Sequence, residues 1–259
     1  MRSSTLSATL ALSLFTRSGI SQCSRELLIA ATESLLAAQT AGTADTLGPL
    51  AETVTYLEQF QAADLATGIL STPIAIEFNR SLHDTTQCAT YTEMIAPGGS
   101  HPYVLGTQMR FTPDGGAIAN ISTLVTDSGD WLFNATGTYY WASREAWDEI
   151  PEDRRDSREV IQAAADAYAD IFDDKSVTVP WGMPCARLEG GAYTGTGSET
   201  DRCDVGIPSG VQLVNRRYVI DETLGAVDVF IDFASLPDSH EFRIEGGKIR
   251  FVHTLTVMA

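Results

Sequence analysis

The chain has 259 residues, enough for one large domain or two small ones, and its 44% hydrophobic content is that of a globular protein. Its formal net charge is −17, and Lys175 and Lys248 are its two lysines. Such a field repels polyphosphate and argues against a nucleic-acid partner.

The N-terminus opens on Met1-Arg2, and 6–15 form an apolar run too short to span a bilayer. Gly19-Ile20-Ser21 supplies small residues for cleavage. Residues 1–21 therefore read as a secretory signal, which implies the secretory pathway or the extracellular space. No later segment is apolar enough for membrane insertion, so a soluble mature chain is expected. Cys23, Cys88, Cys185 and Cys203 form an even set that suggests two disulfides in an oxidising compartment. Sequons at Asn79, Asn120 and Asn134 suggest glycosylation.

Ser24 caps a helix expected over 25–41, with Gly42 as its stop. A second short helix is expected over 54–65, a strand over 74–78 and a loop over 94–101. The apolar period then shortens to two, which predicts strands near 103–112, 117–126 and 131–141. An acidic linker at 144–156 separates a first domain, 22–143, from a second, 157–259. Ser157 caps a helix running to about 173, followed by extended chain over 177–189 and a Gly/Thr/Ser-rich loop over 190–206. Strands follow near 211–221, 226–234, 240–245 and 248–257.

The two domains echo one another. Ser24-Arg25-Glu26-Leu27-Leu28-Ile29-Ala30-Ala31 recurs as Ser157-Arg158-Glu159-Val160-Ile161-Gln162-Ala163-Ala164, and 107–141 align without gaps on 216–250. Self-similarity of this kind signals a tandem duplication. Three cysteine pairings are open, and the repeat favours Cys23–Cys88 with Cys185–Cys203.

Each half is thus α+β, a helix followed by an antiparallel meander that wraps it into a cone. That order, with Phe242-Arg243-Ile244-Glu245-Gly246-Gly247-Lys248-Ile249-Arg250 at the end, resembles the nuclear transport factor 2-like (SnoaL-like) fold. Trp181-Gly182-Met183-Pro184-Cys185-Ala186-Arg187-Leu188-Glu189-Gly190-Gly191 and Arg217-Tyr218-Val219-Ile220-Asp221 resemble a family of fungal secreted proteins of unassigned function. Relatives of that kind include cofactor-free cyclases of secondary metabolism, among them hetero-Diels–Alderases of tropolone sesquiterpenoid pathways. The resemblance implies an enzyme that dehydrates a bulky apolar natural product to a reactive diene or quinone methide and directs its cyclisation. The alternative is a non-catalytic secreted protein that binds a small ligand.

The residues fit either reading. No Gly-x-Ser-x-Gly elbow, His-Glu-x-x-His helix, phosphate loop or Cys-x-x-Cys pair occurs, so neither a metal nor another cofactor is expected. His253 shares one strand face with Phe251, Leu255 and Val257, as a general acid or base or as a bonded core histidine. His240 projects to one side of its strand, towards a pocket or towards solvent. Arg187 and Glu189 share a face, as oxyanion donor and partner or as an ion pair pinning the loop closed by Cys185. Trp181, Tyr168, Tyr218 and Phe251 are candidate walls of a substrate pocket, or core. Asp228 and Asp232 read as a solvated face, and the 144–156 carboxylates as a solvated linker. The two cones are expected to pack sheet to sheet within one chain, leaving a further homodimer open.

Overall fold

A computed structural model describes residues 23–258. The signal expected over 1–21 lies outside the described residues. Helix α1 (Arg25–Ala41) starts where Ser24 Oγ accepts a hydrogen bond from Leu27 N at 3.2 Å, and it stops at left-handed Gly42. Its buried face is Leu28, Ala31, Leu35 and Ala38, the spacing of a helical stripe. Strands β1 (Leu50–Glu58), β2 (Gln61–Ala62), β3 (Phe78–Asp84), β4 (Ala89–Ala96), β5 (Tyr103–Phe111) and β6 (Ile118–Thr126) follow. They form one sheet in the order β2-β1-β6-β5-β4-β3, parallel between β1 and β6 and otherwise antiparallel.

Helix α2 (Ala135–Ala142) leads to the segment before α3 (Arg158–Asp170). Strands β7 (Trp181–Glu189), β8 (Ala192–Tyr193), β9 (Leu213–Asp221), β10 (Ala226–Phe233), β11 (Leu236–Glu245) and β12 (Lys248–Thr256) complete the chain. Their order is β8-β7-β12-β11-β10-β9, again with one parallel pair, β7 with β12. Each half is therefore one long helix against a six-stranded mixed sheet, and the duplication is real in topology. Disulfides join Cys23 to Cys88 and Cys185 to Cys203, one within each half.

Several expectations are corrected. Residues 54–65 form the β1–β2 hairpin and not a helix, because Val54 and Thr55 are β-branched and Gln59 and Phe60 take positive φ to turn the chain. The strand expected over 74–78 is irregular up to Phe78, and Met94 to Ala96 belong to β4 rather than a loop. The strand expected over 131–141 is α2, whose cap is Asn134: its Oδ1 accepts from Gly137 N at 3.0 Å. Strands β3 and most of β4 were not foreseen. The matching sheet orders make β5 the counterpart of β11, whereas the gapless alignment of 107–141 on 216–250 set β5 against β9, two strands out.

The two sheets pack against each other. Leu82, Ala89, Tyr91 and Leu124 of the first half share a buried cluster with Val219, Ala226, Phe230 and Val257 of the second. The ends of this seam are tied reciprocally. Arg25 at the start of α1 binds Asp221 at the end of β9 at 2.8 Å, and Arg158 at the start of α3 binds Asp84 at the end of β3 at 2.7 Å. This is the self-complementary contact of a two-fold dimer, built within one chain.

Candidate functional site

Side chains two apart on a strand share a face. On β11 this puts Asp238 and His240 together, and on β7 Arg187 and Glu189. All but Asp238 line a pocket of about 240 Å³ inside the second cone, beneath Tyr168 of α3. Asp238 Oδ2 lies 2.7 Å from His240 Nδ1, and both side chains are almost fully buried. The pair is close but off the line of a good hydrogen bond. Thr256 Oγ1 donates to the other oxygen, Asp238 Oδ1, at 2.6 Å. Arg187 Nη2 contacts Glu189 Oε1 at 2.9 Å, while Arg187 Nε is buried without a protein partner. Burial raises the Tyr168 phenol well above its usual value against the opposing pull of Arg187. The remaining wall is mostly apolar, with Phe172, Phe233, Leu236 and Met258.

The ladders show what is special about this cone. Thr254 pairs with His240 and Glu189, as Thr123 of the first half pairs with Thr107 and Glu58. His240, Asp238, Arg187 and Glu189 thus correspond to Thr107, Leu105, Tyr56 and Glu58. Counting from the paired caps Ser24 and Ser157, Tyr168 corresponds to Leu35. In the first cone Leu35, Tyr56 and Leu105 join a single hydrophobic cluster. The Tyr56 hydroxyl donates to Glu58 Oε1 at 2.5 Å, which also receives Ile69 N. The first cone holds core residues where the second has Tyr168, Arg187 and Asp238, and at the His240 position it has Thr107, bonded to Thr123 Oγ1 at 3.0 Å.

The other sequence candidates separate. His253 faces away from the pocket into the seam. Its Nε2 lies 2.7 Å from Glu145 Oε2 and its Nδ1 3.1 Å from Glu93 Oε1. Burial alone would lower its pKa, but Glu145 and Glu93 outweigh burial and hold it up to about 10. Arg80 Nη2 binds Glu93 at 2.9 Å and Glu241 at 2.6 Å, and stands 2.8 Å from His253 Nδ1. Two cations are thus clamped by three carboxylates. Burial raises the Glu241 carboxyl despite Arg80, whereas His253 and Arg80 hold Glu93 low despite its burial. Ligand atoms of Glu93, Glu241 and His253 lie within 4.8 Å of one another, as a metal site requires. The Arg80 guanidinium occupies that space and supplies the positive charge itself.

Trp181 meets Tyr168 edge to face at 5.7 Å and packs as core. Tyr218 donates to Asp166 at 2.6 Å on the flank of α3, outside the pocket. Phe251 stacks on Trp147 at 5.9 Å across the seam. Asp228 is fully buried beneath Ser239 and Gln108, not on a solvated face, and burial pushes its carboxyl well up. Glu145 of the linker is likewise docked, its side chain 3% exposed. Asn79 and Asn134 are exposed and Asn120 is half-buried. Sequence reasoning missed Asp238, Arg80, Glu93 and Glu241. Asp238 was within reach of the two-residue spacing rule that paired Arg187 with Glu189.

Residues 154–256, under half of the chain, match the family model described as a domain of unknown function (DUF8021). The match runs from just before α3 to the end of β12, so it covers the half that holds the pocket. No curated protein matches the chain.

Proposed function

We propose that the second cone is the site of a cofactor-free enzyme that moves protons on a small, largely apolar molecule. The observation that carries this reading is the Asp238–His240 pair beside Arg187 in an otherwise apolar pocket. His240 Nε2 takes a proton from a carbon next to a carbonyl, and the C–H electrons form a new C=C bond. A hydroxyl on the neighbouring carbon then leaves as water, taking the proton back from the imidazolium. Asp238, 2.7 Å from Nδ1, orients the imidazole. Arg187 offers its free Nε–H to the carbonyl oxygen as charge builds there. The conjugated product needs no further atoms to cyclise, only orientation, which is worth up to roughly 7–11 kcal/mol in favourable intramolecular cases.

The finer reading follows from the sequence resemblance: a hetero-Diels–Alder type cyclase with nuclear transport factor 2-like cones, working in the secretory pathway. The helix-on-sheet halves and the two disulfides accord with it. The pocket, at about 240 Å³, is smaller than the ~300–1,000 Å³ of most ligand sites. A bulky substrate therefore stands partly in the mouth. The misaligned Asp238–His240 contact favours the second reading, a non-catalytic binder of the same class of molecule. Incubation with apolar metabolites extracted from the source organism separates the two. New masses or a new enantiomer ratio against a boiled control support the enzyme, and retention without conversion supports the binder.

A further inference from the structure

The pocket is not built by the second half alone. Trp131 lies in the turn after β6, in the first half, yet its side chain lines the mouth of the second cone. It remains 47% exposed there. The turn that carries it is fastened to the rim at several points. Trp131 N donates to Thr256 O at 3.3 Å and Asn134 N to Gly190 O at 2.5 Å. Asp130 bridges the other side, Oδ1 accepting from Met258 N at 2.7 Å and Oδ2 from Asp127 N at 2.8 Å. Gly190 is left-handed, at φ 58, and a Cβ there would stand 2.1 Å from Trp131 O. Leu132 also takes positive φ, at 50. The β7–β8 turn is thus shaped to receive the lip, and the lip is held rather than loose.

The backbone of the turn is held at the rim, and the Trp131 it carries lines the pocket with about half its surface exposed. Indole offers a flat face, and rings stack on such faces in offset or edge-on arrangements. We infer that Trp131 is a ligand-binding residue contributed by the first half, and that the ligand presents it with a planar aromatic or conjugated face. The conjugated product of a dehydration has such a face. The inference rests on the second cone being the ligand site and not on its chemistry. It also gives the filled first cone a role, as the bracket that holds a specificity determinant over its neighbour.

Binding of 2-naphthol to the intact protein, followed by calorimetry, tests this. Trp131→Ala removes no buried core and is expected to weaken binding by up to about tenfold. Trp131→Phe should retain most of the affinity. Gly190→Ala, which must push the lip away, should weaken binding in the same direction as Trp131→Ala. His240→Phe, which fills the pocket, should abolish it. If wild type fails to bind at millimolar 2-naphthol, the pocket itself is wrong and the inference falls with it. If His240→Phe abolishes binding while Trp131→Ala and Gly190→Ala leave it unchanged, the pocket stands and the wall is refuted.

Discussion

Arg80→Met removes the charge at the centre of the seam while keeping most of the side chain's length. The side chains of Arg80, Glu93, Glu241 and His253 are at most 7% exposed. The guanidinium makes bonds of 2.9 Å to Glu93 and of 3.0 and 2.6 Å to Glu241. Without it, His253 alone faces three carboxylates. Breaking a buried pair by deleting one partner costs about 3–5 kcal/mol, because the stranded charges keep their desolvation penalty. For a chain of this size each kcal/mol lowers Tm by about 2–4 °C, so the variant should melt about 6–20 °C lower. The register places Arg217 of β9 where Arg80 stands in β3: Arg217 pairs with Phe230 as Arg80 pairs with Glu93. Arg217 lies over the Phe60 ring and is half-buried, so Arg217→Met should cost about 1 kcal/mol or less. Circular dichroism melts of the two variants make the comparison, and Arg80→Met/Glu241→Gln should recover part of the loss. Equal, small shifts for both arginines would refute the reasoning that the cluster holds the halves together.

Two further outcomes follow from the same geometry. Folded His253 keeps its proton up to about pH 10, whereas an unfolded histidine releases it near ~6.5. The stability drawn from that proton is therefore complete below ~6.5 and fades as pH rises towards 10. Urea titrations across this range should show the decline, and His253→Gln should flatten it. The Cys185–Cys203 disulfide closes a separation of 18 residues, and a loop of that length is stabilised by about 3 kcal/mol. Cys185→Ala/Cys203→Ala should lower Tm and also weaken 2-naphthol binding, because Cys203 anchors the segment that runs directly on to Gly206 and Pro208 of the pocket rim. Cys23→Ala/Cys88→Ala should lower Tm alone.

The parts legible in the sequence were those with local causes. Ser24 and Ser157 begin their helices because each stands at the N-cap position, in extended φ/ψ, ahead of an amphipathic run. Strands β9 to β12 followed from turns at Gly225 and Gly246-Gly247, which take positive φ. What failed had non-local causes. Apolar residues near 54–65 fit either period, and pairing of β1 with β6 adds to the β-branched Val54 and Thr55 to decide for strand. Residues 131–141 hold enough aromatics for a strand, but Asn134 caps a helix that wedges into the seam, where Ala135 and Ala142 are buried. The face of β10 that carries Asp228 reads as solvated because alternation in one strand does not reveal that a second sheet covers it. Asp228, Glu93 and Glu241 are buried by that covering. His253, open in the sequence as an acid–base group or a bonded core histidine, lies bonded in the seam. Strand alternation turns His240, Arg187 and Glu189, and helix phase turns Tyr168, to one pocket; the sequence alone leaves His240 open to solvent, Arg187–Glu189 open as an ion pair and Tyr168 open as core.

The central claim is that the second cone works and the first supports it. The direct measurement is conversion of the apolar metabolite fraction by matched variants of equivalent positions. His240→Gln and Asp238→Asn should each lower the rate by about a hundredfold or more, the scale of a lost general acid–base. Thr107→Val and Leu105→Met, at the same places in the first cone, should leave it within about twofold, because neither removes a polar group with a chemical role. No conversion by wild type, or conversion that survives His240→Gln and fails with Thr107→Val, would contradict the account.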